Sequence, residues 1–264
     1  HTIKKFKADK EVVLAAVKKD GGALRFADKK LKNDKKIVLI AVKNISSIAG
    51  SDWALHYASK KLRGNKEIVL AAVKHTANAL QHADKKLRGN KEIVLAAVKQ
   101  YGDVLEYVDK KLKSNKEIVL AAVTNDGSAL KYADKKLKSN KEIIIAAVKQ
   151  NGYALADADK KLRADEEVVL AAVKLGKKPT YERNGQVLLY ADKKLKTNKK
   201  FILAAVKQNY TVLGFTDEKF TKDKEVVLAA VKQNGLALLY SNKELKADKD
   251  IVLVAIKSEP SLIQ

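Results

Sequence analysis

The sequence predicts an all-α solenoid of about ten 25-residue helical repeats, in which neighbouring units bury one another. Three observations carry that reading. An apolar run closes on a valine that recurs at Val17, Val42, Val73, Val98, Val123, Val148, Val173, Val206 and Val231, with Ile256 in tenth place, and seven of the nine spacings are 25 residues. Every run is introduced by Asp or Asn: Asp9, Asp34, Asn65, Asn90, Asn115, Asn140, Asp165, Asn198, Asp223 and Asp248. The composition, 46% hydrophobic and 32% charged with a formal net charge of +23, is too apolar for a disordered chain.

The elements follow in order within each unit. Asp or Asn at those ten positions accepts the orphan amides of a first helical turn, at about 1 kcal/mol per cap. An acidic residue two places later, in eight units, faces the positive end of the helix dipole (Glu11, Glu67, Glu92, Glu117, Glu142, Glu167, Glu225 and Asp250). Gly21, Gly102, Gly127, Gly152, Gly185 and Gly235 are expected to end this long helix as left-handed stops. A second helix carries Ala-Leu-x-aromatic-Ala on the anchors Leu24, Leu55, Leu80, Leu105, Leu130, Leu155, Leu188, Leu213 and Leu238. Another cap type then follows (Asp28, Ser59, Asp84, Asp109, Asp134, Asp159, Asp192, Asp217, Asn242), and Lys-Lys-Leu-Lys makes a short helical turn whose leucine enters the core. The apolar run also fits a buried strand, giving a strand-plus-helix horseshoe as the alternative; its central Ala-Ala pair and its cap favour the helix.

Residues 1–264 read as a single repeat array that starts in mid-repeat, because Glu218 to Asp223 matches the residues just before Asp9. With no methionine and His1 in first place, the expectation is a processed or truncated N-terminus. Two spacings are longer, placing insertions near 44–51 and 175–184 in the turn between the long and second helices. The longest apolar runs, such as Ile143 to Val148, fall short of the roughly 20 residues of a membrane span, so a soluble chain with no transmembrane segment is expected.

The stretch Asp223-Lys-Glu-Val-Val-Leu-Ala-Ala-Val-Lys-Gln-Asn-Gly-Leu-Ala-Leu-Leu-Tyr-Ser-Asn-Lys-Glu-Leu245 closely resembles the tandem repeat known as domain of unknown function 4116. The resemblance extends over nearly the whole chain. It implies an interaction repeat and carries over no reaction, cofactor or catalytic residue. The chain departs from that pattern at its two insertions and in the lysine pair after the second cap, where the family more often has acidic residues.

No constellation for catalysis emerges. The chain lacks cysteine, which removes disulfides, thiolate metal sites and cysteine nucleophiles and leaves the redox compartment open. His1, His56, His75 and His82 show no metal-ligand spacing; His82 takes the aromatic position of its unit, and His1 reads as a boundary rather than a copper ligand. The aspartates before Lys-Lys are explained as caps rather than as cation ligands or acid–base pairs. Phosphate loops and serine triads have no support from spacing. A non-enzymatic chain with no cofactor and no metal is therefore expected.

The functional signal is basic. Lysine pairs recur in phase, and their second members Lys30, Lys61, Lys86, Lys111, Lys136, Lys161 and Lys194 are the candidate polyanion-binding residues, joined by Lys32, Lys113, Lys138 and Lys196 into a stripe. Only five arginines occur, so any nucleic-acid contact would be to phosphate and blind to sequence. Trp53, Tyr153 and Tyr181, at or beside the insertions or in the variable position before Ala-Leu, are the candidate protein-partner anchors. The expected function is an interaction scaffold whose lysine edge docks an acidic protein partner. The alternatives are a sequence-nonspecific nucleic-acid binder and a structural subunit of a larger assembly; a purely solubilising surface is the plain reading of the same lysines.

Overall fold

The computed structural model describes residues 2–44, 54–174 and 179–260, with side chains omitted at 2–4 and 179–184. All regular elements among them are helical, so the strand-plus-helix alternative falls. The chain forms two compact units, His1–Asp134 and Lys135–Gln264. Among the described residues each unit contains five long helices. In the first these are Lys10–Lys19, Lys35–Lys43, Lys66–His75, Lys91–Val98 and Lys116–Asn125. In the second they are Lys141–Gln150, Glu166–Val173, Lys199–Gln208, Lys224–Val231 and Lys249–Ser258.

The apolar run settles as a helix because of which residues it buries. Ile68, Val69, Ala72 and Val73 are buried while Leu70 and Ala71 between them are only partly covered. Positions one, two, five and six share a face at 3.6 residues per turn, which neither an alternating nor a fully buried strand produces. The capping chemistry is as read: Asn65, Asn90, Asn115 and Asn140 each accept the amide three residues on, at 3.1–3.2 Å.

The second element is a 3-10 helix in most repeats, as in Gly102–Tyr107 and Gly152–Asp157, rather than an α-helix. Residues three apart eclipse in a 3-10 helix, so Gly102 and Leu105 both face inward and are buried. One extended residue ends the long helix and caps this one. Asn151 donates its backbone amide to Ala147 and accepts Tyr153 N–H on its side chain. Asp20, Asp126, Asn209 and Asn234 cap in the same way.

The glycines at this junction are not left-handed stops. Gly21, Gly102, Gly152, Gly185 and Gly235 have no positive φ. Gly21, Gly102, Gly152 and Gly235 are buried points where the 3-10 helix meets the following long helix, and Gly185 meets the following 3-10 helix at Thr211: a Cβ on Gly152 would lie 2.3 Å from the carbonyl oxygen of Ala172. Within each unit, long helices pack on long helices and second elements on second elements in chain order, with the anchor leucines between them.

Candidate polyanion-binding edge

The lysine pairs ride on the third element, a four-residue α-turn such as Lys85–Arg88 or a 3-10 turn such as Leu112–Ser114. Its position is set from two sides. The backbone amide of the capping residue donates to the preceding repeat: Asp28 to Lys7, Ser59 to Lys32, Asp84 to Arg63 and Asp109 to Arg88 in the first unit, at 2.8–3.0 Å. In the second unit Asp159 donates to Lys138 and Asp192 to Arg163, both at 2.9 Å. The cap carboxylate then turns onto its own helix: Asp28, Asp84, Asp109, Asp159 and Asp192 accept Lys30, Lys86, Lys111, Lys161 and Lys194 N–H at 2.8–3.0 Å. Asp84, Asp159 and Asp192 are N-caps, and Asp28 and Asp109 make the same bond just ahead of their 3-10 turns.

Each lysine pair is thereby held one repeat from the next along one edge of its unit. Lys30, Lys61, Lys86, Lys111, Lys136, Lys161 and Lys194 are all exposed, as are their neighbours Lys29, Lys60, Lys85, Lys110, Lys135, Lys160 and Lys193. Lys160, Lys161, Lys193 and Lys194 line a single open depression of about 850 Å³, and Asp159 and Asp192 line it with them. Among the described residues, the ammonium groups of Lys30, Lys61, Lys86, Lys111, Lys161 and Lys194 make no ion pair.

Two other lysine sets behave differently. Lys32, Lys113 and Lys196, expected to join the stripe, are half-buried and turn inward to the carbonyl oxygens of Arg25, Glu106 and Leu189 at 2.8, 2.7 and 3.3 Å. Burial lowers the pKa of the Lys113 ammonium. Lys138 lies 3.8 Å from Asp157. The edge therefore consists of the pairs, without the joining lysines.

In seven of the long helices the first lysine, Lys10, Lys35, Lys66, Lys91, Lys141, Lys199 or Lys224, is engaged across the repeat boundary. Lys35 meets Glu67, Lys66 meets Glu92 and Lys91 meets Glu117, at 2.6–2.7 Å. Lys10 reaches Asp34 at 2.8 Å, and Lys199 reaches both Asp223 and Glu225. The acidic second positions thus bind the neighbouring repeat as well as facing the helix dipole. Donation from Lys35 and Lys66 holds Glu67 and Glu92 below the ordinary glutamate value, and Lys10 does the same for Asp34. Sequence carried a signal for this: where the next cap is Asp, as at Asp34, Asp165, Asp223 and Asp248, the lysine reaches that cap, and where it is Asn65, Asn90 or Asn115 the lysine meets the second-position acid.

Of the partner anchors, Tyr153 is half-buried, its hydroxyl 3.2 Å from Gln186 Oε1 and its ring edge-on to Tyr190. It packs on the next repeat rather than standing clear of it. Trp53, the side chain of Tyr181 and most of both insertions lie outside the described residues. His82 is half-buried and its ring meets His56 of the preceding repeat, Nδ1 to Nδ1 at 3.4 Å. Among the described residues no three His, Asp or Glu side chains converge as metal ligands, and no helix is long and apolar enough to cross a membrane.

Helical units of one design, linked by a recurring backbone bond and a recurring ion pair, define an α-helical tandem-repeat protein. The model of the family described as domain of unknown function (DUF4116) matches residues 9–63, 48–88, 90–138, 115–163, 140–179, 180–221 and 223–264, and the chain belongs to that family. No curated protein and no solved structure matches it.

Proposed function

We propose that this chain is a non-enzymatic interaction scaffold whose lysine-pair edge docks an acidic protein partner. One observation carries the reading: the lysines divide into sets by environment, and the pairs on the third element keep exposed ammonium groups while the first lysines of seven long helices are ion-paired. Cations held in a row by capped turns raise the local concentration of a polyanion and steer it to the edge. Lysine is a strongly hydrated point charge with no fork to match a base edge or a bidentate carboxylate, so such a surface recognises charge density rather than sequence.

Competition decides between acidic protein and nucleic acid. Fluorescent polyglutamate and a random-sequence DNA duplex are titrated with the chain over a salt series. The reading expects polyglutamate to bind and to resist displacement by DNA at equal charge. If DNA displaces it at every salt concentration, the edge is a phosphate-binding surface. If neither binds, the lysines serve solubility alone.

A further inference from the structure

The stacking of repeats brings two histidines together at one boundary. His56 directly follows the anchor Leu55 on the helix Ala54–Tyr57, and His82 holds the aromatic position two residues after the anchor Leu80 on Ala77–His82. The same two positions meet again two repeats later, where Tyr132 donates its hydroxyl to Glu106 Oε2 at 3.0 Å. The juxtaposition therefore belongs to the repeat geometry and not to the histidines alone. Leu55 and Leu80 are buried beside the two rings, and the Asp84 amide donates to the Arg63 carbonyl at 2.9 Å just beyond them. The backbone that carries both rings is thus held from both repeats, as a preorganised site requires.

The two rings stand edge to face with centroids 4.8 Å apart and Nδ1 to Nδ1 at 3.4 Å. Zn–N bonds of about 2.0–2.1 Å in a tetrahedron set two ligand nitrogens about 3.3–3.4 Å apart. The right angle of square-planar Cu2+ would need about 2.9 Å at the same bond length. The observed separation is that of a zinc tetrahedron's edge. For both Nδ1 lone pairs to face an ion, both ring protons must sit on Nε2. The exposed His56 ring can make that exchange through water, with the number of protons on the pair unchanged. Among the described residues no third His, Asp or Glu converges here, so water takes the other two positions. The net charge of +23 works against a hard cation such as Ca2+ or Mg2+, which needs oxygen ligands, whereas neutral imidazoles suit a borderline transition ion.

We propose that His56 and His82 bind Zn2+ through their Nδ1 atoms and that the ion clamps the second elements of two neighbouring repeats. It joins side chains 26 residues apart in sequence. An ion that binds only the stacked form stabilises that form by mass action, so zinc ties the metal state of the chain to the integrity of its repeats.

Calorimetric titration of the full chain with ZnCl2 at neutral pH, after treatment with a chelator, tests this beside the 15N chemical shifts of the histidine rings. The variants are His56→Gln and His82→Tyr, chosen because Gln81 and Tyr132 stand at the same two positions in other repeats and suit the fold. A control, His1→Asn with His75→Asn, removes the remaining histidines. Wild type and control are expected to bind Zn2+, to shift the Nδ1 resonances of His56 and His82 together and to show a raised thermal midpoint with the metal. Each variant is expected to keep the thermal midpoint of the zinc-free chain and to weaken zinc binding at least about tenfold, since loss of even a ligand's outer partner costs about 10–100-fold. Ring resonances that do not move with Zn2+ overturn the proposal. So does a single variant that binds as tightly as wild type, since one imidazole would then suffice, or a control that loses the zinc while both variants keep it.

Discussion

The Cα of Gly152 lies against the carbonyl oxygen of Ala172 one repeat later, leaving no room for a methyl group. Backbone atoms on both sides make this contact, so no side chain can swing away. Gly152→Ala is expected to destabilise the fold by about 1–3 kcal/mol, the range for forced overpacking. Gly89 is the internal control: its nearest neighbour to an added Cβ is Asp109 Cβ at 3.5 Å, and Ala164 occupies the equivalent place in another repeat with the same backbone conformation. Gly89→Ala should stabilise by about 0.4–1 kcal/mol through the unfolded chain. Urea midpoints of the two variants should move in opposite directions.

The two kinds of cap can be separated by substitution. Asn140→Ala removes the acceptor for Ile143 N–H at the start of a ten-residue helix. Asn151→Ala removes the acceptor for Tyr153 N–H in the 3-10 helix but leaves the backbone bond to Ala147 in place. Each is expected to cost about 0.5–2 kcal/mol, and Asn→Asp at either site should recover most of it. A midpoint unmoved by Asn151→Ala would mean that the 3-10 helix is held by its leucine alone.

How much of this was legible follows from where each signal lies. The caps and the helical run are local: Asp or Asn before an apolar run needs only its own amides, so its role reads directly from sequence. The partner of Gly152 is a backbone atom twenty residues on, and glycine has two explanations, a left-handed turn or a close approach, that look identical in sequence. Lys32 and Lys35 are equally alike on the page. One turns back to the Arg25 carbonyl and the other crosses to Glu67, because the third element aims its side chain inward and the first turn of the long helix faces the next repeat. The paired lysines were legible as a set because the capped turn that presents them is itself local.

Acid should loosen the repeats in a defined range. Asp34, Glu67, Glu92 and Asp248 are held below their ordinary values by donation from Lys10, Lys35, Lys66 and Lys224. Such a carboxylate contributes stability above its unfolded pKa, and that contribution is lost as pH falls through the lower folded value. The thermal midpoint is expected to hold from neutral pH to about 5 and to fall as pH drops through the ordinary values of 4.5 for Glu and 3.8 for Asp and below. Lys35→Gln with Lys66→Gln should lower the plateau and flatten the fall; an unchanged slope would assign the acid sensitivity to other carboxylates.

Equal charge in different places gives the sharpest test of the edge. One variant changes Lys60, Lys61, Lys85 and Lys86 to Gln; another changes Lys10, Lys35, Lys66 and Lys91. Both carry the same net charge, so a polyanion drawn only by the overall field should weaken equally for both. The first set is exposed on the third element, whereas the second is ion-paired to Asp34, Glu67, Glu92 and Glu117. Docking on the edge predicts that the first variant loses at least about tenfold in polyglutamate affinity, equivalent to about 1.4 kcal/mol. It should also show a shallower dependence of log K on log salt, because fewer counterions are exchanged. The second variant should bind more nearly like wild type while losing stability, since its lysines join repeats rather than face a ligand. Equal losses from both variants would remove the edge as a site and leave only a basic surface.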